Sequence, residues 1–191
     1  MGTMYVYRLK HVIATTLPEI GLTMSVPTVR VSFENRPGQI RAWGGEMGVK
    51  ILLGMGLDGH VNYAYQNIKN NIDPLSSVDG SPTHKVNVGL RFQKKAWTIS
   101  GWMHWVGKTL WYQNDLVPNA NAVGQVDAYT LVNAQARYAF SGFLQKWVMG
   151  VSAFNLLNNK HFETLPASAL GQGQRGEIVQ RRIVGTLTFA F

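Results

Sequence analysis

Five histidines, His11, His60, His84, His104 and His161, are the side chains best suited to ligate a metal or move a proton near neutral pH. They fall on separate segments, and no two stand in the His-x-x-x-His spacing that brings both rings to one helix face. There are no cysteines, which excludes thiolate metal sites and disulfides. The glycines of "LLGMGLDGH" mark a turn between apolar runs, not a strand-to-helix phosphate loop. No nucleophile motif frames the serines or aspartates. Neither catalysis nor a bound cofactor is expected. Recognition chemistry remains. Trp111, Tyr112, Gln113 and Asp115 open one long polar link, and Arg175 and Glu177 lie in another. Aromatic faces beside hydrogen-bonding groups in such links suit a small ligand. A second polar set, Asn87, Arg91, Gln135 and Arg137, alternates with apolar residues, and Arg181 and Arg182 precede the last apolar run.

The elements that must position these residues are strands. The sequence period is 2 almost throughout. In "HKVNVGLRF", His84, Val86, Val88, Leu90 and Phe92 share one face and Lys85, Asn87, Gly89 and Arg91 the other. Trp97, Ile99, Met103 and Trp105 oppose Thr98, Ser100, Trp102 and His104. Val132, Ala134, Ala136, Tyr138 and Phe140 oppose Asn133, Gln135, Arg137 and Ala139. At the ends the pattern is less clean: Tyr5, Tyr7 and Leu9 oppose Val6, Arg8 and Lys10, and "WVMGVSAFNLLNN" loses phase near Phe154 and Asn155, where a bulge is expected. About eight strands result, with helix signals nearly absent. Short links near residues 54–56, 93–95 and 141–146 alternate with long polar ones near 15–38, 67–83, 108–126 and 158–177. This predicts an all-β, antiparallel up-and-down meander with turns at one end and loops at the other, as in outer-membrane barrels.

Composition narrows the setting. Of 191 residues 15% are charged, well below the usual ~25%, while Gly, Trp, Tyr and Phe are plentiful. The formal net charge is +8, but the densest basic spots, "QKKAW" and "QRRIV", lack the aromatic and glycine spacing of an RNA-binding module, so nucleic acid is not an expected partner. No apolar run approaches the ~20 residues of a membrane helix. The opening "MGTMYVYRLKHVIATTLPEIG" has no basic segment ahead of an apolar core, so a signal has been removed or the chain is a piece of something longer. Two all-β readings compete: a soluble barrel with its apolar face inward, holding a hydrophobic ligand, and a membrane barrel with that face outward. Aromatics near strand ends, polar faces rich in Asn, Gln, Gly, Ser and Thr, and a last strand "IVGTLTFAF" that stops on Phe191 all favour the membrane.

Several segments resemble TonB-dependent outer-membrane receptors. "VSFENRPGQIRAWGGEMGVKILL" is similar to a strand start of that family through Phe33, Asn35, Gly45 and Glu46, and "SPTHKVNVGLRF" through Pro82, His84 and Lys85. "DAYTLVNAQARYAF" resembles the family's penultimate hairpin. "VSAFNLLNNKHFE" resembles its Asn-Leu-x-Asn segment through Asn155, Leu156, Asn158 and Phe162, and "RRIVGTLTFAF" its terminal strand. The resemblance covers the C-terminal part of the barrel only, and no plug domain or TonB-contacting box is found. It implies residence in the outer membrane of a Gram-negative bacterium, contact with lipid and lipopolysaccharide, and assembly by the barrel-assembly machinery reading Leu187, Phe189 and Phe191. It implies coupling to TonB through the missing N-terminal part, and a scarce cargo such as an iron–siderophore complex, haem or cobalamin. Asn87, Arg91, Gln135 and Arg137 would then face the lumen, and Trp111, Tyr112, Gln113, Asp115 and Arg175 would meet ligand at the mouth. Residues 1–191 would form one segment of a barrel of about 22 strands. A complete eight-stranded barrel with a structural, adhesive or enzymatic role is the alternative. It requires Tyr5–Ile13 to pair with Val179–Phe191.

Overall fold

A computed structural model describes residues 1–15, 19–23, 26–71, 81–114, 121–141, 146–161, 163 and 179–190. Among them every regular element is a strand: β1 (Gly2–Thr15), β2 (Glu19–Thr23), β3 (Val26–Arg30), β4 (Phe33–Gly54), β5 (Leu57–Asn70), β6 (His84–Lys94), β7 (Trp97–Val106), β8 (Thr109–Asn114), β9 (Asn121–Val126), β10 (Tyr129–Ser141), β11 (Lys146–Phe154) and β12 (Arg182–Ala190). Eight of these form one antiparallel sheet in the order β1-β4-β5-β6-β7-β10-β11-β12. The expected meander of about eight strands is this sheet.

Two expected long links hold further hairpins. β2 and β3 pair within the connection from β1 to β4, and β8 and β9 within that from β7 to β10. β4 also begins earlier than the link pattern suggested, because residues 33–36 continue the ladder to β1 past a register shift between Lys10 and Val12. The phase loss near Phe154 is not a bulge. β11 ends there, and Asn155 takes a left-handed conformation with φ 50°.

The short turns set the register. Gly54, Met55 and Gly56 all have positive φ, and Met55 and Gly56 together make the tight primed type of hairpin turn whose twist matches the flanking strands. Outside β1, the pairing puts the sequence-defined apolar faces on one side. Trp43, Tyr65, His84 and Trp105 lie toward the long-link end, and Trp97, Tyr138, Phe140, Trp147 and Phe189 toward the short-turn end. Rings cluster within each belt: Trp43–Tyr65 at 5.0 Å, Tyr65–His84 at 5.2 Å, Trp97–Tyr138 at 4.7 Å and Trp147–Phe189 at 4.4 Å. Trp97 and Trp105 stand eight positions apart on β7. At ~3.4 Å per residue and a tilt of ~40° their belts are about 21 Å apart along the normal, close to the apolar height of an outer-membrane barrel. Between the belts the row Leu90, Gly101, Ala134 and Ala153 carries no charge.

One expectation inverts at the first strand. Tyr5 and Tyr7 pair with Gly44 and Ala42, so they share the polar side, while Met4 and Val6 take the apolar side with Gly45 and Trp43.

The sheet has no hydrophobic core of its own. The buried apolar residues among those described are Ala42, Val106 and Val126. Leu90 and Ile99, which a soluble barrel would bury, are 54% and 47% exposed. The chain exposes 14247 Å², against about 9,000 Å² for a compact monomer of its mass. The sheet is also open. β1 and β12 are its two edges, and the described residues show no pairing between them, as a closed eight-stranded barrel would need.

Candidate functional site on the polar face of the sheet

The polar side repeats the alternation in register across the strands. Lys50, His60 and Gly89 are partners in one row, and Asp58, Arg91, Ser100 and Gln135 in the next. Arg91 Nε–H donates to Asp58 Oδ2 at 2.9 Å. Gln135 Nε2–H donates to Ser152 Oγ at 3.0 Å, and Asn87 and His104 share a hydrogen bond. The Arg91–Asp58 pair is exposed, whereas the other two bonds are part-buried. The ion pair orders its side chains more than it stabilises the fold, since exposed ion pairs contribute only about 0–1 kcal/mol.

Two adjoining grooves lie along this face. One, of about 610 Å³, is lined by Thr3, Glu46, Lys85 and their neighbours, and the next, of about 550 Å³, by Asp58, Arg91, Ser100 and Trp102. Lys50, His60, Asn62 and Asn87 border both. Lys50, Lys85 and Arg91 outnumber Glu46 and Asp58, so the paired grooves carry a slight basic excess, with Arg91 already paired to Asp58. Large and small residues interlock beside them. A Cβ at Gly44 would stand 2.6 Å from the Tyr5 hydroxyl oxygen and closer still to the Tyr65 carbonyl oxygen. Only glycine lets the Tyr5 ring lie across β4. Gly44→Ala is expected to cost about 2 kcal/mol through displaced backbone, read as a lower unfolding midpoint in detergent. An unchanged midpoint would mean that the Tyr5 ring does not rest on Gly44.

The expected site residues are not one cluster. Asn87, Arg91, Gln135 and Arg137 share the polar face, with β7 between the first pair and the second. Trp111, Tyr112 and Gln113 lie in β8, a strand and not a loop, paired with Gly124, Val123 and Ala122. Leu187 and Phe189 are on the apolar side of β12 opposite Met149 and Trp147. Asp115, Arg175 and Phe191 lie outside the described residues.

A polar knot at the long-link end went unread. Asn155, 2% exposed, accepts from the Asn159 backbone N–H at 2.9 Å and donates through Nδ2 to the carbonyls of Asn159 at 2.9 Å and Val179 at 3.2 Å. Its own N–H donates to Asn133 Oδ1 at 2.9 Å. Beside it His161 is buried and stacks on Tyr129 at 4.1 Å between centroids. The knot ties both ends of the last long connection to β10. The signal available was the run of asparagines directly after an apolar strand, since Asn tolerates left-handed backbone and bonds local peptide groups. Among the described residues no three His, Asp or Glu side chains gather as a metal site.

Comparison with known proteins gives these faces a context. Residues 3–156 match the family model described as "TonB dependent receptor-like, beta-barrel". None of the curated proteins compared with the chain matches it. Among solved structures, the ferric enterobactin receptor PfeA of Pseudomonas aeruginosa is 19% identical, with a TM-score of 0.73 over 99% of this chain and 28% of its own. The FrpB iron transporter of Neisseria meningitidis is 15% identical, with a TM-score of 0.65 over 99% of this chain and 28% of its own. The copper transporter OprC is 17% identical, with a TM-score of 0.65 over 100% of this chain and 28% of its own. These likenesses are of fold, and the chain spans little more than a quarter of each of these three proteins.

Proposed function

Because this chain belongs to the TonB-dependent receptor β-barrel family, whose members reside in the outer membrane of Gram-negative bacteria, we propose that residues 1–191 form the C-terminal part of a receptor barrel importing a scarce ligand. An iron–siderophore complex is the foremost cargo class, with haem and cobalamin as the others. The open sheet carries this reading: one face is apolar and exposed between two aromatic belts, the other polar and grooved, and both edges are unpaired. In lipid unpaired edges are untenable, so β1 and β12 call for further strands beside them.

In this reading the apolar side meets lipid, and Asn87, Arg91, Gln135 and Arg137 face the lumen. The basic bias of the two grooves suits an anionic chelate. Trp111, Tyr112, Gln113, Asp115 and Arg175 contact ligand near the outer mouth. The terminal strand, with Leu187, Phe189 and Phe191, is read by the barrel-assembly machinery. Energy comes from TonB acting on an N-terminal plug. The test is uptake of radiolabelled ferric chelates by cells expressing the whole receptor under iron limitation. Uptake of at least one chelate is expected to fall about tenfold or more when TonB is deleted. An equal rate without TonB, for each chelate the receptor takes up, overturns the proposal.

A further inference from the structure

One buried group in the polar knot has no use in the transport reading. The side chain of His161 is 7% exposed. Its Nδ1 lies 2.9 Å from the Asn159 carbonyl oxygen, which can only accept, so Nδ1 carries the ring proton. Nε2 of the neutral ring is then a lone pair. It is buried, with no hydrogen-bond partner among the described residues. It faces another acceptor: Glu163 Oε1 stands 3.7 Å away, just beyond hydrogen-bond range. Leaving a buried nitrogen unbonded is costly, and one proton between these two acceptors would complete the bond.

The groups around the pair pull both ways. The Tyr129 ring lies against His161, 4.1 Å between centroids and 20° from parallel. The Glu163 carboxylate acts electrostatically on Tyr129 of β10 and on His104 of β7, and Lys85 of β6 acts on His104. Lys160 is the neighbour in sequence, and the Arg181 backbone N–H donates to Asn158 Oδ1 at 3.2 Å. Lys85, Lys160 and Arg181 oppose a cationic ring, while Glu163 and the Tyr129 face favour it. His161 also forms an antiparallel bridge with Val179, whose N–H donates to the His161 carbonyl at 3.2 Å. Residues 162–178 leave the sheet at one of these two residues and return at the other, and Glu163 is the second residue out. Its side chain is half exposed, so it can turn toward Nε2 or away.

We propose that His161 and Glu163 form a proton-operated latch on the connection 162–178, closed when the pair holds one added proton and open when it does not. With the ring charged, Nε2–H donates to the Glu163 carboxylate in a charge-assisted bond, and the start of the connection is held beside Tyr129 and the Asn155 knot. With the ring neutral, lone pair and carboxylate repel, and Glu163 turns to solvent. An imidazole ordinarily gains its proton between about pH 8 and 5, where a glutamate side chain ordinarily keeps its charge. The closed form binds the extra proton, so it gains population as pH falls through that range. In the proposed receptor the connection faces the medium, and acid outside holds this part of the mouth more tightly. That placement rests on the receptor orientation proposed above, whereas the latch does not.

The test is cleavage within the connection by proteinase K, on the whole protein purified in detergent, at about pH 8 and about pH 5.5. Glu163→Gln is the reference. Its amide donates to the neutral ring and its oxygen accepts from the charged one, so Nε2 is satisfied at either pH. Dividing the wild-type rate by the Glu163→Gln rate at each pH removes the protease's own pH response. That ratio is expected to be about fivefold or more higher at the alkaline pH, because cleavage follows the open population. On a His161→Phe background, which keeps a ring against Tyr129 and takes up no proton, the same ratio is expected not to change with pH. Heat-modifiable gel mobility reports that each barrel is folded. An equal wild-type ratio at the two pH values overturns the latch without recourse to the phenylalanine background. A ratio that changes as much on that background also overturns it and moves the sensor to His104. Loss of TonB-dependent uptake would count against the receptor reading while leaving these rates unaffected, so the two can fail separately.

Discussion

Leu90→Arg is expected to cost about 2–4 kcal/mol and to empty the outer membrane of folded protein. Leu90 sits on the apolar side midway between the Trp97 and Trp105 rows, level with Gly101 and Ala134, and is more than half exposed. In water an exposed leucine replaced by arginine is close to neutral, so the size of the loss measures what the exposed face touches. Gln135→Arg is the matched control. It lies within one residue of the same depth on the polar side, and a guanidinium can still donate to Ser152. Its cost is expected to stay below about 1 kcal/mol. Denaturant unfolding of both variants in lipid vesicles, with heat-modifiable mobility in cell membranes, gives the comparison. Equal costs, or a larger cost for Gln135→Arg, would mean that the apolar side does not face lipid.

That contrast was available in the primary structure, because a period of 2 names both faces of a strand without saying which is wet. The alternation of Val86, Val88 and Leu90 with Asn87, Gly89 and Arg91 defined β6, and the two-residue turns at Met55–Gly56 and Lys95–Ala96 then set register between β4 and β5 and between β6 and β7. Once register is set, the aromatic belts follow. They cannot be read from one strand alone, because they are a property of pairing between distant segments. The same limit explains Tyr5 and Tyr7. Taken singly, an aromatic on an alternating strand reads as lipid-facing, and only the partnership with Gly44 and Ala42 turns it to the polar side. The hairpins β2–β3 and β8–β9 were hidden for a different reason. β2 is only five residues long, β3 is interrupted by Pro27, and β8 and β9 mix apolar and polar residues on both faces, so the periodic signal that separates strand from loop is weak there. The grooves are likewise a tertiary product: Lys50, Asp58, Asn87 and Arg91 come from three strands, and no local spacing announces that they converge.

Asn155, legible in the sequence as a break in phase and a motif residue but not as a hydrogen-bonding centre, shows how much one residue can hold. Asn155→Ala is expected to destabilise the protein by about 3–5 kcal/mol, from two separable sources. The first is hydrogen bonding: the substitution strands the Asn159 N–H and the Asn159 and Val179 carbonyls, which the amide now satisfies. The second is conformation, since φ 50° suits asparagine or glycine and strains alanine. Asn155→Gly keeps the backbone free of strain and loses only the bonds, so its cost should fall short of the alanine variant by about 1 kcal/mol. Asn155→Asp can still accept from the Asn159 N–H but turns a carboxylate oxygen toward two carbonyls, and it should be at least as damaging as glycine. Beyond stability, the knot joins residues 159 and 179, the two ends of a connection that reaches the outer mouth in the proposed receptor. Its loss should therefore speed proteolysis within residues 162–178 in intact cells before it affects the yield of folded barrel. Unfolding curves of the three variants, set beside limited proteolysis of whole cells, test this order. Equal stability of the alanine and glycine variants would remove the conformational part, and wild-type proteolysis in all three would show that the knot does not hold the connection.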